Sequence, residues 1–255
     1  MIDDLNQHPV ILSLETAVLG GSIWLGRGNA ELAAVNGDPL VSQSNSLLRD
    51  INDCLDSAGL LLPDVDVFAC ASGPGSFTGL RIGIATLKAL AATLDRPCVG
   101  IPTLQAVAHS AGPSARTVSL LPAGRGEVFA QMFSVSEDYL VNAIDLAAHL
   151  SPEKLIERYA SFTDLLWAGS GAHLQHAVIE NAALAHGLTF REASTEIPST
   201  VIPDGWNLVA SGKNLALHVA ALAQQAFDVG TLQRAESLNA IYVRPSDAEL
   251  KEQFG

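Results

Sequence analysis

The stretch Ala69–Gly83, reading ACASGPGSFTGLRIG, restricts the fold more than any other part of the chain. An apolar run (Val65, Val67, Phe68, Ala69, Cys70, Ala71) breaks at Ser72 into a loop that holds Gly73, Pro74, Gly75 and Gly79. Beyond it Leu80, Ile84, Leu87, Ala91 and Leu94 recur at helical spacing. A strand, a tight turn and a helix start are therefore predicted. Glycine admits positive φ or close backbone approach, Pro74 stiffens the turn, and Ser76 or Thr78 is placed to cap the first N–H groups of the helix. Gly79 and Gly83, one turn apart, mark a face where another segment can pack closely.

A glycine-rich turn that opens a helix also suits an anion, because unpaired N–H groups and the helix dipole both favour negative charge there. Neither phosphate pattern is met. GxxxxGK[ST] fails because no Lys follows the glycines and Arg81 stands where the Ser/Thr pair begins; GxGxxG fails because Thr78 occupies the place of the third Gly. A strand-to-helix turn that serves packing is the plainer reading.

The whole string GPGSFTGLRIG (Gly73, Pro74, Gly75, Ser76, Phe77, Thr78, Gly79, Leu80, Arg81, Ile82, Gly83) after an apolar strand closely resembles the signature of the TsaB/YeaZ family. Members are bacterial partner subunits in making threonylcarbamoyl-adenosine on tRNA. The resemblance implies an α/β fold of the sugar-kinase/Hsp70/actin (ASKHA) class, two-lobed and built from a duplicated βββαβαβα domain.

With 255 residues, 48% of them hydrophobic and 16% charged, the chain is long enough for one large core or two modest ones. No apolar run is long enough to span a bilayer, since the most apolar helix carries Lys88 in its middle, and the start MIDDLNQHP is polar rather than signal-like; a soluble, cytoplasmic protein is expected. Three widely spaced cysteines in apolar contexts, Cys54, Cys70 and Cys98, read as buried thiols. The net charge of −13, with 14 basic against 27 acidic residues and no basic cluster, speaks against nucleic-acid binding by this chain alone.

Along the chain, strands are predicted at Pro9–Glu15, Ser22–Leu25 and Glu31–Val35, with turns at Gly20–Gly21 and Gly26–Gly28. A helix over Ser42–Ala58 follows, with cap candidates Ser42 and Ser44, an apolar stripe of Leu47, Leu48, Ile51, Cys54 and Leu55, and Gly59 as its stop. After the central motif come a strand at Pro97–Ile101 and a helix at Thr103–Ala111, ending at Gly112–Pro113. The second half repeats the order: strands at Thr117–Pro122, Glu127–Phe133 and Tyr139–Ala143, a helix at Pro152–Tyr159, a strand at Leu165–Ala168, a helix at His173–His186, a strand at Thr189–Ala193 and a long helix at Asn207–Phe227. The expected division is a lobe at 1–112, carrying the motif and the partner-binding helices, and a more divergent lobe at 113–255. The tail Tyr242, Val243, Arg244, Pro245 resembles the family's end, with Ala240 where Pro is usual.

In kinases of this fold class an acid ending the first strand handles metal-bound water, and the resemblance puts Glu15 there, with Thr16 beside it. Gly169 and Gly171 half-match the adenine-side glycine motif. These four are vestigial nucleotide contacts at most, because Pro122 and Gly124 stand where the family carries Asp and Arg, which removes one side of a magnesium–phosphate clamp; Arg125 lies one place later. No cofactor is expected, and a nucleotide only weakly or at a partner interface. The related catalytic subunit, TsaD, carries a His-x-x-x-His metal site, against which Thr103 and Val107 align here, so no metal is expected. His173 and His176 lack a third ligand nearby.

What the resemblance leaves is a non-catalytic subunit that supports TsaD. It pairs through two helices with TsaD, or with a second copy of itself when TsaD is absent, and takes part in a ternary complex with the ATPase TsaE. Interface candidates are Leu47, Leu48, Ile51, Leu87 and Leu90. The alternatives are a small-molecule kinase or ATPase of the same fold, whose second acid has no counterpart here, and a peptidase, for which GPGSFTG lacks the GxSxG elbow.

Overall fold

Val10–Glu15 (β1) and Val67–Gly73 (β4) are buried at every position, the condition of strands in the middle of a sheet with helices on both faces. They pair in parallel, and β4 pairs in parallel with Cys98–Pro102 (β5). On the other side Ser22–Arg27 (β2) and Ala30–Asn36 (β3) extend the sheet antiparallel, giving the order β3-β2-β1-β4-β5. Gln43–Ala58 (α1) packs on β2 and β3, and Phe77–Thr93 (α2) on β4 and β1. Thr103–Ala111 (α3) follows β5 directly. The computed structural model describes residues 8–28, 30–38, 43–193, 205–210, 212 and 214–243; the cap candidate Ser42 and the tail residues Arg244 and Pro245 lie outside them.

The second sheet starts from Ser114–Gly124 (β6) and Glu127–Val135 (β7). Only Arg125 and Gly126 join them, both at positive φ (54° and 80°), the backbone that a two-residue hairpin between twisted strands requires. Val141–Ala143 (β8) and Ala148–Leu150 (β9) pair with β7. Pro152–Tyr159 (α4) leads to Asp164–Ala168 (β10); Ser170–Leu174 (α5) and His176–Ala185 (α6) lead to Thr189–Ala193 (β11), and Gly205–Val209 (β12) is inserted between β10 and β11. The core of this unit is aromatic. Tyr159, Trp167 and Trp206 meet edge to face with centroids 6.0 and 5.1 Å apart, and the Trp206 indole N–H donates to the Phe162 carbonyl, which removes the cost of burying it.

The α/β class and the two meanders are as the sequence predicts, and the helices at Thr103–Ala111 and Pro152–Tyr159 match residue for residue. Two predicted helices need correction, and one strand was missed. The single helix at Asn207–Phe227 is a strand, β12, and then a shorter helix, Leu215–Asp228 (α7), whose N-cap Asn214 accepts from the Leu217 N–H. Trp206 and Leu208 sit two apart and face the core, a strand period of which only Leu208 falls inside the predicted helix. The helix at His173–His186 breaks at Gln175, which is 4% exposed and donates to the Gly126 carbonyl at 2.6 Å. Strand β9 is too short to leave a periodic signal.

The chain divides into two units, Met1–Ala106 with Lys213–Ile241, and Val107–Gly212 with Tyr242–Gly255. Against an expected boundary after residue 112, α7 returns to the first unit, where it packs on β1, β2, β4 and β5. Its first turn is held there by Ser13, whose hydroxyl donates to the Ala216 carbonyl at 2.7 Å, and by Ser22, whose hydroxyl accepts from the Ala216 N–H. Cys54, Cys70 and Cys98 are buried free thiols. Among the described residues no helix is long and apolar enough to cross a membrane.

Candidate functional site

The motif turn is a meeting point of three chain segments. Ser76 caps α2, its hydroxyl accepting from the Gly79 N–H at 3.2 Å, and its own N–H donates to the Ala17 carbonyl at 2.8 Å. Of the two cap candidates, the structure uses Ser76; Thr78 is exposed within the first turn. Gly75 lies against Ala17, and Gly83 faces Thr16 so closely that a β-carbon there would stand 2.1 Å from the threonine hydroxyl. Gly73 has φ +113° and the Ile241 carbonyl over it, 2.4 Å from where a β-carbon would be, while its N–H donates to the Thr103 hydroxyl at 3.1 Å. Pro74 follows through a cis peptide. The glycines are thus required by neighbouring backbone and by Thr16, which is the packing reading of the turn. Arg81 lies over the Phe77 ring, 3.9 Å from its centroid.

Leu47, Ile51 and Leu87 are 6%, 2% and 0% exposed. They pack inside their own unit instead of facing a partner, because the stripe that covers a helix's own sheet is also the one that reads as apolar. Leu48 is 62% exposed and Leu90 half-buried. The exposed residues of α2 are Thr78, Arg81, Ala85, Ala89, Ala92 and Thr93; all but Arg81 are small, which lets another helix approach closely.

Glu15 is 2% exposed, and burial pushes its carboxyl from the ordinary 4.5 up to about 7, against the opposing hydrogen bonds of the Val18 and Ala17 N–H groups. It lines a small, shallow pocket with Thr16, Ser46 and Asp50 and the backbone of Gly20 and Gly21. Among the described residues two carboxyls and no Lys or Arg line that pocket, the wrong charge for a bare polyphosphate. Gly169 and Gly171 lie against the backbone of Leu120 and Leu121, where α5 starts on β6. Pro122 and Arg125 are exposed at the β6–β7 hairpin. Thr103 accepts from Gly73 and Val107 packs against Gly169, so both positions aligned with the metal-binding histidines of the relative have packing work. His173 meets the Val209 carbonyl, whereas His176 pairs with Glu192 at 2.8 Å; the two do not converge, and no group of three ligands forms among the described residues.

Sequence reasoning missed Thr103's hydrogen bond, Lys88's partners and the return of residues 231–241 to the motif. Lys88 did leave a signal, a lone cation in an apolar helix that has to find an acceptor.

The family model described as TsaD, tRNA N6-adenosine threonylcarbamoyltransferase, matches residues 42–235. The tRNA threonylcarbamoyladenosine biosynthesis protein TsaB of Escherichia coli is 27% identical over 215 residues, 82% of this chain and 91% of that one. Its Haemophilus influenzae counterpart is 35% identical over 41% of this chain and 44% of its own. Among solved structures, YeaZ from Pseudomonas aeruginosa superposes with a TM-score of 0.69 at 23% identity, covering 92% of this chain and 99% of that one. A second structure, described as similar to peptidase YeaZ from that organism, gives 0.69 at 26% identity over 92% and 100%. The chain belongs to the threonylcarbamoyltransferase family whose model it matches, and to its TsaB/YeaZ members.

Proposed function

We propose that this chain is the non-catalytic partner subunit of a TsaD-type transferase, holding and supporting it while threonylcarbamoyl is moved onto the adenosine beside the tRNA anticodon. The observation that carries the reading is the similarity to E. coli TsaB across 91% of that protein, joined to a motif whose glycines serve packing. Among the described residues the Glu15 pocket has no cation to hold a phosphate, and a net charge of −13 leaves tRNA to be held by another subunit. Docking uses the outward face of α2 with Leu48 of α1, two helices against two of the partner. A second copy of the chain takes that place when TsaD is absent, and TsaE joins the working complex.

The test is a pull-down with TsaD from the same organism, followed by sedimentation of the mixture. A stoichiometric complex that Leu48→Glu weakens supports the reading. Two species sedimenting independently at micromolar concentration refute it.

A further inference from the structure

After α7 the chain runs back over its own unit. Gln233 forms an antiparallel bridge with Cys98 at the start of β5, N–H to carbonyl in both directions at 2.8 Å. Ala235–Ser237 makes one 3-10 turn on α2, and Leu238, 1% exposed, packs on Gly100. The Ile241 N–H donates to the Ser72 carbonyl at 2.7 Å, and the Ile241 carbonyl covers Gly73. Across the middle reaches Lys88 of α2. Its ammonium donates to the Leu238 carbonyl at 2.9 Å and, more weakly, to the Glu236 carbonyl at 3.4 Å. These acceptors lie at the end of the 3-10 turn, where carbonyls lack partners of their own and a cation is favoured. Apart from the packing of Ala235 and Leu238, then, this segment is held by main-chain bonds at its two ends and by one charged side chain between them.

We propose that residues 231–241 are a latched strap over the outer edge of β5, with Lys88 as the latch, so that the strap opens locally while the unit stays folded. Opening uncovers Cys98 and frees the turn at Gly73 in one event, next to the helix that docks the partner. That last link rests on the proposed function; the latch does not.

Cys98 supplies the readout. Cys98 is 0% exposed and is bonded to Gln233 of the strap through its main chain. Burial raises its pKa, Lys88 lowers it and Glu236 raises it. Removing the Lys88 charge therefore leaves less thiolate, and any faster alkylation has to come from opening rather than from chemistry. Lys88→Met keeps the stem and deletes the ammonium. Iodoacetamide labelling of Cys98, measured by peptide mass spectrometry with Cys54 and Cys70 as internal references, is expected to speed up at least about tenfold, the factor that a lost charge-assisted hydrogen bond implies for a local opening equilibrium. Amide exchange at Gln233 and Ile241 should rise with it. Leu238→Ala, which loosens the same strap at its apolar anchor, should raise the same two rates. Unchanged labelling in both variants overturns the proposal. So does a parallel rise at all three cysteines, because Lys88 would then serve the whole unit. No partner enters this assay, so its failure leaves the partner reading standing, and a failed pull-down leaves the latch standing.

Discussion

Glu15→Gln removes a titration while leaving an oxygen to accept from the Val18 N–H, now 2.8 Å from the carboxylate. The folded carboxyl has its pKa raised from 4.5 to about 7. The native chain therefore holds this proton more tightly than the unfolded one. The resulting stabilisation is fully present below pH 4.5 and is lost as the pH rises through 7. At 1.36 kcal/mol per pH unit, a displacement of this size comes to about 3 kcal/mol. Glutamine has nothing to lose over that range. Urea unfolding of both proteins at intervals from pH 4.5 to 9 gives the difference between them at each pH, and every other titrating group cancels in that difference. It should move in favour of the glutamine variant by about 3 kcal/mol, with most of the change between pH 5 and 8. A difference that stays flat across the range would mean an ordinary carboxyl, one that its burial leaves unperturbed.

Gly83→Ala should cost about 1 to 3 kcal/mol, because its methyl would meet Thr16; Thr16→Ala in the same chain should recover part of the loss in thermal melts. Leu87→Glu buries an unpaired charge at a position 0% exposed and should cost at least about 4 kcal/mol or abolish folding by circular dichroism. Leu48→Glu, at a position 62% exposed, should change stability by no more than about 0.5 kcal/mol and weaken TsaD binding at least tenfold in calorimetry, roughly the loss of one interface anchor. Tyr159→Phe removes the hydroxyl that donates to Asp145 at 2.9 Å and should cost about 1.5 to 3 kcal/mol in urea unfolding.

How much was legible in the sequence follows from how far each signal reaches along the chain. The motif turn, the meanders and the helices at 103–111 and 152–159 are written in caps, breakers and periods within some ten residues, and they appear where those marks stand. What the marks do not carry is the partner. Leu87 and Leu48 both read as apolar helix positions, yet one is core and the other surface, because a stripe has a centre that only the sheet beneath it defines. Trp206 and Leu208 carry a strand period, but two positions are too short a pattern to mark off a strand from the apolar helix that follows, and its place between β10 and β11 is set by the rest of the sheet. The α7 helix returns to β1 through Ser13 and Ala216, 203 residues apart, a distance over which no local pattern operates. The glycines of the motif show the same limit. Their presence was plain, but their reasons lie in Thr16, Ala17 and Ile241, far from them in the chain.

The most direct test of the account is threonylcarbamoylation of tRNA from purified components: the TsaD and TsaE of the same organism, threonylcarbamoyl adenylate and unmodified tRNA, with and without this chain, and this chain alone. The account predicts product only when TsaD and this chain are both present. Product from this chain alone, or an equal yield from TsaD and TsaE without it, would contradict the claim that the chain works by supporting a catalytic relative.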